Sequence, residues 1–130
     1  MFKINFFKTV KKEIPLDEDE LKRLKKIFKK EIENNNLKIK EINIIMVGKN
    51  RIKKLNKNFL NRNKKTDCLS FNLDNVGEIY ICSDYVKNKK DFLKLLIHSF
   101  CHILGYDHKS EKEKKIMEEK EKSLISKITK

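Results

Sequence analysis

Residues 98–108 read HSFCHILGYDH, and this stretch holds all three histidines of the chain. His98 and His102 are four positions apart, so on a helix they lie one above the other on the same face. Gly105 follows and can adopt the left-handed conformation that ends a helix. The chain can then turn back and bring His108 to the same point. The stretch therefore predicts a helix over about residues 91–104 and a cluster of three imidazoles at its end.

Three converging imidazoles with a fourth position left open form the ligand set of a catalytic zinc site. The alternative is that these are core residues, as one histidine on an apolar helix face usually is. Three histidines with a glycine stop between the second and third, and no other histidine in the chain, favour the metal site. We expect one zinc ion per chain on His98, His102 and His108, although imidazole also suits nickel, copper and iron.

The same spacing occurs in zinc proteases with the pattern H-E-x-x-H-x-x-G-x-x-H, whose glutamate acts as general base. Here that position is Ser99, and a hydroxyl with a pKa far above neutrality cannot take that role. A metalloprotease is therefore the weaker interpretation of this metal scaffold.

Charge and cysteine content narrow the class of protein. The 130 residues carry a net charge of +13, which favours nucleic acid or another polyanion as partner, although a lysine-rich coding background gives the same excess. No segment approaches the ~20 apolar residues of a membrane span, and the N-terminus is too interrupted for a signal sequence. Three cysteines without a paired spacing indicate reduced thiols and a cytoplasmic protein.

Hydrophobic periodicity predicts an α+β fold in a single domain spanning residues 1–130. Alternating apolar residues indicate four strands, near residues 2–6, 38–47, 66–71 and 77–83. The last two strands are close enough in sequence to form an antiparallel hairpin. Helical spacing predicts about five helices, beginning near Asp17 as N-cap, Lys49, Ser83, Asp91 and Lys112. We expect a small mixed sheet packed with these helices, with the histidine helix at the centre.

Several motifs together resemble the YbeY-type endoribonucleases, which are bacterial rRNA maturation factors. The resemblance covers residues 37–125, most of the chain. It is carried by LN at 55–56, TDCLSF at 66–71, GEI at 77–79, the histidine stretch, and Met117-Glu118 with Glu121.

This resemblance implies an α+β fold, a metal held by His98, His102 and His108, and cleavage of single-stranded RNA. It also implies a role in 3′-end maturation of small-subunit rRNA and in ribosome quality control. The implied partners are ribosomal RNA precursors and the ribosome or its small-subunit proteins, with no membrane involved.

One departure from the family pattern bears on catalysis. The family carries an arginine where this chain has Leu60, and Arg62 lies two residues further on. Arginine binds phosphates bidentately and stabilises charge in phosphoryl transfer. Arg62 is therefore a candidate catalytic residue, with a plain solvated cation as the alternative. Ser99, Glu78 and Cys68 replace the family's Gly, Asp and Val and leave the pattern otherwise intact.

The chemistry expected is metal-assisted cleavage of an RNA phosphodiester bond. A bound water with its pKa lowered to ~7 or the RNA's own 2′-hydroxyl can be the nucleophile. Asp107 is a candidate to orient a histidine or to form the turn, and Thr66 and Ser70 are candidates to contact substrate or ordinary strand residues. Glu118 and Glu121 are expected to pair with lysines. A non-catalytic RNA-binding assembly factor with a structural metal is the stronger alternative function.

Overall fold

The structure, a computed structural model, describes residues 1–60 and 66–130. Its elements are, in chain order, β1 (Lys3–Lys8), α1 (Glu18–Asn34), β2 (Glu41–Val47), α2 (Lys49–Leu60), β3 (Cys68–Leu73), β4 (Val76–Cys82), a 3-10 turn (Ser83–Tyr85), α3 (Lys89–Leu104) and α4 (Glu111–Ile128). No helix within the described residues is both long and apolar enough to cross a bilayer.

The four strands form one mixed sheet in the order β1-β2-β4-β3. β2 pairs in parallel with both β1 and β4. β3 and β4 form the antiparallel hairpin that the sequence predicts, joined through Asp74 and Asn75. Asp74 has φ 65°, a conformation that Asp tolerates better than most residues. The predicted α+β class and four-stranded mixed sheet are confirmed.

Three helices cover one face of the sheet. Alternate residues of β2 and β4, among them Ile44 and Ile79, are fully buried against α1, α3 and α4. The rings of Phe28 on α1 and Phe100 on α3 stack with centroids 3.6 Å apart. This core fixes α3, and with it the histidines, between the sheet and the two outer helices.

The opposite face of the sheet has a smaller core under α2. Ile52 of α2 packs there with Val47, Leu69 and Cys82, all buried. The alternation of side chains along β2 and β4 explains the division, since successive residues point to opposite faces.

A glycine sets how closely α3 approaches the sheet. A Cβ on Gly77 of β4 would lie 3.2 Å from Cδ1 of Ile103 on α3. That is tighter than ordinary packing, so a larger residue would push the end of α3 away from β4. The close approach brings the C-terminal half of α3 against β3 and β4.

Capping residues account for most differences from the predicted boundaries. Asp17 caps α1 as expected, in a capping box with Glu20. α3 begins at Lys89 rather than near Asp91, because the Asn88 side chain accepts from the Asp91 N–H. The expected helix near residue 83 is a single 3-10 turn, Ser83–Tyr85.

Candidate metal centre

Helix α3 and the turn after it bring the three histidines together. Gly105 ends α3 with φ 107°, and the N–H of Tyr106 donates to the carbonyl of Cys101 over 3.0 Å. This is the left-handed helix stop that the sequence predicts. One potential ligand atom from each of His98, His102 and His108 lies within 4.8 Å of the others. Among the described residues, no other three His, Cys, Asp or Glu side chains converge in this way.

The histidine cluster is accessible from solvent. The side chain of His98 is 34% exposed and that of His108 is 52% exposed. Both also line a cavity of about 490 Å³ between α3 and β3, together with His102. Three nitrogen donors beside an open volume are what a metal site needs in order to admit water or substrate.

The protonation of His102 suits a ligand. Burial, followed by the positive charges that His98 and His108 can carry, lowers the pKa of His102. The ring is therefore neutral at neutral pH, and a neutral imidazole is the form that binds a metal ion.

A carboxylate from α4 holds one of the histidines. The Nδ1 atom of His98 lies 2.6 Å from Oε2 of Glu121, a short hydrogen bond. If Nδ1 carries the proton and donates it, Nε2 of His98 is left with the lone pair for a metal. Glu118 and Glu121 were expected to pair with lysines, and both expectations are wrong, since within the described residues Glu118 forms no ion pair and Glu121 pairs with His98. Glu121 lies on the helical stripe of buried residues Met117, Leu124 and Ile128, and a carboxylate on such a stripe needs a partner in the interior.

Asp107 has contacts that suit both predicted roles. Its Oδ1 accepts a hydrogen bond from the backbone N–H of His108 over 2.7 Å, as expected of a turn residue. The same oxygen lies 3.4 Å from Nδ1 of His108. The hydrogen bond from the His108 N–H lowers the pKa of Asp107, so the carboxylate stays charged beside the ring.

Thr66 and Ser70 both line the cavity of the histidines. Thr66, Cys68 and Ser70 are alternate residues, so their side chains lie on the same side of the sheet. Cys68 pairs with Ile81 and Ser70 with Ile79, on the face that α3 covers. The hydroxyl of Thr66 donates to the carbonyl of Cys68 over 3.3 Å. Burial raises the pKa of the Cys68 thiol to about 12, so this cysteine is a neutral wall of the cavity.

Ser99 lies in the interior directly after the first histidine. It is 1% exposed, and its hydroxyl has no hydrogen-bond partner within the described residues. The Cys68 thiol faces this hydroxyl without reaching hydrogen-bond geometry. The residue at the position of the protease base is therefore small, neutral and buried.

Arg62 lies outside the described residues, in the segment 61–65. Its role stays a prediction. The preceding helix α2 ends at Leu60, and Asn56 on α2 lines the cavity of the histidines.

This chain is similar in fold and sequence to known proteins. A protein of Thermotoga maritima, solved in solution, superposes with a TM-score of 0.58 and 28% identity, covering 96% of this chain and 88% of that one. The "Endoribonuclease YbeY" of Thermotoga petrophila is 36% identical over 124 residues, 85% of this chain and 79% of the relative. That of Sulfurihydrogenibium is 32% identical over 138 residues, 92% and 91% of the two chains.

The family model described as "Endoribonuclease YbeY" matches residues 6–129. Among the described residues, this match takes in α1 to α4, β2 to β4, the last three residues of β1 and the histidine cluster. The chain therefore belongs to the YbeY endoribonuclease family.

Proposed function

We propose that this protein is a metal-dependent endoribonuclease that cuts single-stranded RNA, with His98, His102 and His108 as ligands of one ion. The convergence of three ring nitrogens within 4.8 Å, at the wall of an open cavity, carries this proposal. An all-nitrogen donor set disfavours calcium and magnesium, which prefer oxygen. Among the ions that imidazole ligands suit we propose zinc, which in catalytic sites takes three protein ligands and keeps a fourth position for water.

The residues around the histidines have distinct tasks. Glu121 fixes the ring of His98 and the proton on its Nδ1. Burial keeps the His102 ring neutral, so its nitrogen lone pair is available to a metal ion at cell pH. Asp107 holds His108 through the turn. A divalent ion at the ring nitrogens would supply Lewis acidity to a phosphoryl oxygen or to the attacking water or 2′-hydroxyl.

The cavity supplies the room for an RNA strand beside the histidines. Thr66 and Ser70 offer hydroxyls along one wall. Ser70 can donate to a phosphate or sugar oxygen, whereas Thr66, whose proton goes to the Cys68 carbonyl, can accept from a 2′-hydroxyl. The net charge of +13 draws the polyanion to the surface and makes binding salt-dependent. Arg62 is our candidate for stabilising charge on the phosphate as the bond breaks.

The biological substrate we propose is the precursor of small-subunit rRNA, trimmed at its 3′ end, with a further role in ribosome quality control. The proposal includes the ribosome or its small-subunit proteins as partners and a cytoplasmic location, and treats residues 1–130 as one catalytic domain. It rests on family membership and on the basic surface.

One observation favours a second function, that of a non-catalytic RNA-binding assembly factor. Position 60 is leucine where the family pattern has arginine, so the chain lacks a cation at that position. A metalloprotease has no such support, because position 99 holds a serine, whose neutral hydroxyl cannot replace the glutamate that acts as general base in those proteases.

The test is cleavage of a single-stranded rRNA-precursor fragment by zinc-loaded protein, beside the same sequence as a duplex and an unstructured peptide. His102→Ala is compared with Ser123→Ala, a control at an exposed position on α4 that does not line the cavity of the histidines. We expect the parent and Ser123→Ala to cut the single strand, and His102→Ala to lose cleavage with an unchanged circular dichroism spectrum.

Other outcomes contradict the proposal in different ways. Equal cutting by His102→Ala would indicate a nuclease activity that does not use the histidines. RNA binding without cleavage in every sample would support the assembly factor, and cleavage of the peptide would support a protease. If the parent cuts RNA, Arg62→Ala then tests whether that guanidinium contributes.

A further inference from the structure

A second groove reaches the histidines from the side opposite β3. It lies between α3 and α4, encloses about 540 Å³, and is lined by His98 and His108 together with residues of both helices. The same two histidines line the cavity between α3 and β3. The histidine cluster therefore lies where two openings meet.

Lysines form the rim of this groove. Lys90 and Lys94 line it from α3, and Lys114 and Lys122 line it from α4. All four are exposed, and none forms an ion pair within the part of the chain that the structure describes. The two acidic side chains of the groove are Glu118 and Glu121, and Glu121 is engaged by His98. Four lysines against two glutamates leave the groove with a net positive charge.

The lysines of α3 lead to the metal site. Lys90, Lys94 and His98 are spaced four residues apart on one helix, so they lie on one face with steps of about 6 Å. A row of cations at this spacing, ending at a histidine, suits a chain that carries a negative charge on each repeating unit.

The floor of the groove is apolar. Met117 lines its base and is 2% exposed. Ile125, which is half-buried, lines the groove eight residues further along α4. An inorganic anion gains nothing from contact with an apolar floor. A nucleotide carries a flat base beside its phosphate, and the face of that base can pack against such a floor.

We propose that the groove between α3 and α4 holds the RNA strand on one side of the cut site. Phosphates lie on its lysine rim, and a base lies against Ile125. This rests on the proposed function and adds a path for the strand, which passes the histidines from one opening to the other. Among the described residues, the apolar side chains that line the groove are aliphatic and not aromatic. Such a contact is open to the face of any base, so it discriminates little between bases.

The test is binding of a fluorescent ten-nucleotide single strand at several salt concentrations, with a chelator present so that nothing is cut. Lys94→Gln with Lys114→Gln removes one charge from each wall. Lys22→Gln with Lys25→Gln removes two exposed charges from α1, which lines neither opening. Both double variants therefore have the same net charge.

We expect the groove variant to bind more weakly and to lose about 1.4 from the slope of log affinity against log salt, at about 0.7 for each single-strand phosphate contact. The α1 variant should keep the parental slope. An abasic strand should bind the parent less tightly than the normal strand, and Ile125→Ala should reduce that difference.

Equal losses of RNA affinity in the two double variants would overturn the proposed strand path and would indicate that only the overall positive charge attracts RNA. An unchanged salt slope in the groove variant, while the parent still cuts RNA, would also overturn the proposed strand path. The proposed function would then stand. A parent that neither binds nor cuts RNA would overturn both proposals.

Discussion

Replacing Glu121 by glutamine tests the least expected contact of the site. The carboxylate lies 2.6 Å from Nδ1 of His98, and its side chain is 19% exposed. Glutamine has nearly the same shape and still offers an oxygen, but it carries no charge. The substitution therefore weakens the hold on the ring without opening a cavity.

The expected size follows from the kind of hydrogen bond that is lost. Removing a partner that orients a metal-binding histidine typically costs 10–100-fold in metal affinity, which is about 1.4–2.7 kcal/mol. Because glutamine keeps an acceptor and the pair is partly exposed to water, we expect the lower end, a loss of about tenfold. Glu121→Ala, which leaves no acceptor, should approach a hundredfold.

The assay is zinc affinity by competition with a chelator at pH 7.5. Glu118→Gln is the matched control, since Glu118 lies three residues earlier on α4, is exposed, and makes no hydrogen bond or ion pair within the described residues. It should bind zinc like the parent. Nitrogen NMR of the zinc-free protein should show the His98 proton on Nδ1. Equal zinc affinities for Glu121→Gln, Glu118→Gln and the parent would refute the reasoning.

Three further predictions concern the fold and the site. Phe28→Ala should lower the free energy of unfolding by about 3–5 kcal/mol in denaturant titration, because it empties a fully buried position stacked on Phe100; a loss below 1 kcal/mol would contradict this packing. Gly105→Ala should lower the free energy of unfolding by about 1–2 kcal/mol, because alanine is strained at a φ of 107°, and it should also weaken zinc binding. A zinc affinity equal to the parent's would show that the turn does not position His108. Zinc affinity should fall as the pH drops from 7 to 5.5, because protons compete for the ring nitrogens. Burial lowers the pKa of His102, so the part of the loss that comes from His102 falls below pH about 6.5. An affinity that is flat over this range would argue against imidazole ligands.

Local features of the site were predictable because they depend on short stretches of chain. The i, i+4 spacing of His98 and His102 and the glycine at position 105 fix the helix, its end and the return of His108. The hairpin of β3 and β4 was predictable for the same reason, since its strands are adjacent in sequence.

Long-range features were not predictable from spacing. The parallel pairing of β2 with β1 and β4 depends on which distant strands meet, and hydrophobic alternation is the same for any order. The contact of Glu121 with His98 joins residues that are 23 positions apart on two helices. Its signals in the sequence are an acidic residue on a buried helical stripe and the place of Glu121 in the family motif with Met117-Glu118. Local charge patterns suggested that Glu121 would pair with a lysine instead.

The most direct test of the account is restoration of RNA cleavage by metal in protein stripped with a chelator. Zinc is added in steps to the parent and to His102→Ala, with cleavage of the single-stranded rRNA-precursor fragment as the readout. We predict that cleavage by the parent rises with zinc and levels off at about one ion per chain, as one site on three histidines requires, and that His102→Ala stays inactive. Full cleavage by the stripped parent before zinc is added, or equal restoration of the variant, would contradict the account.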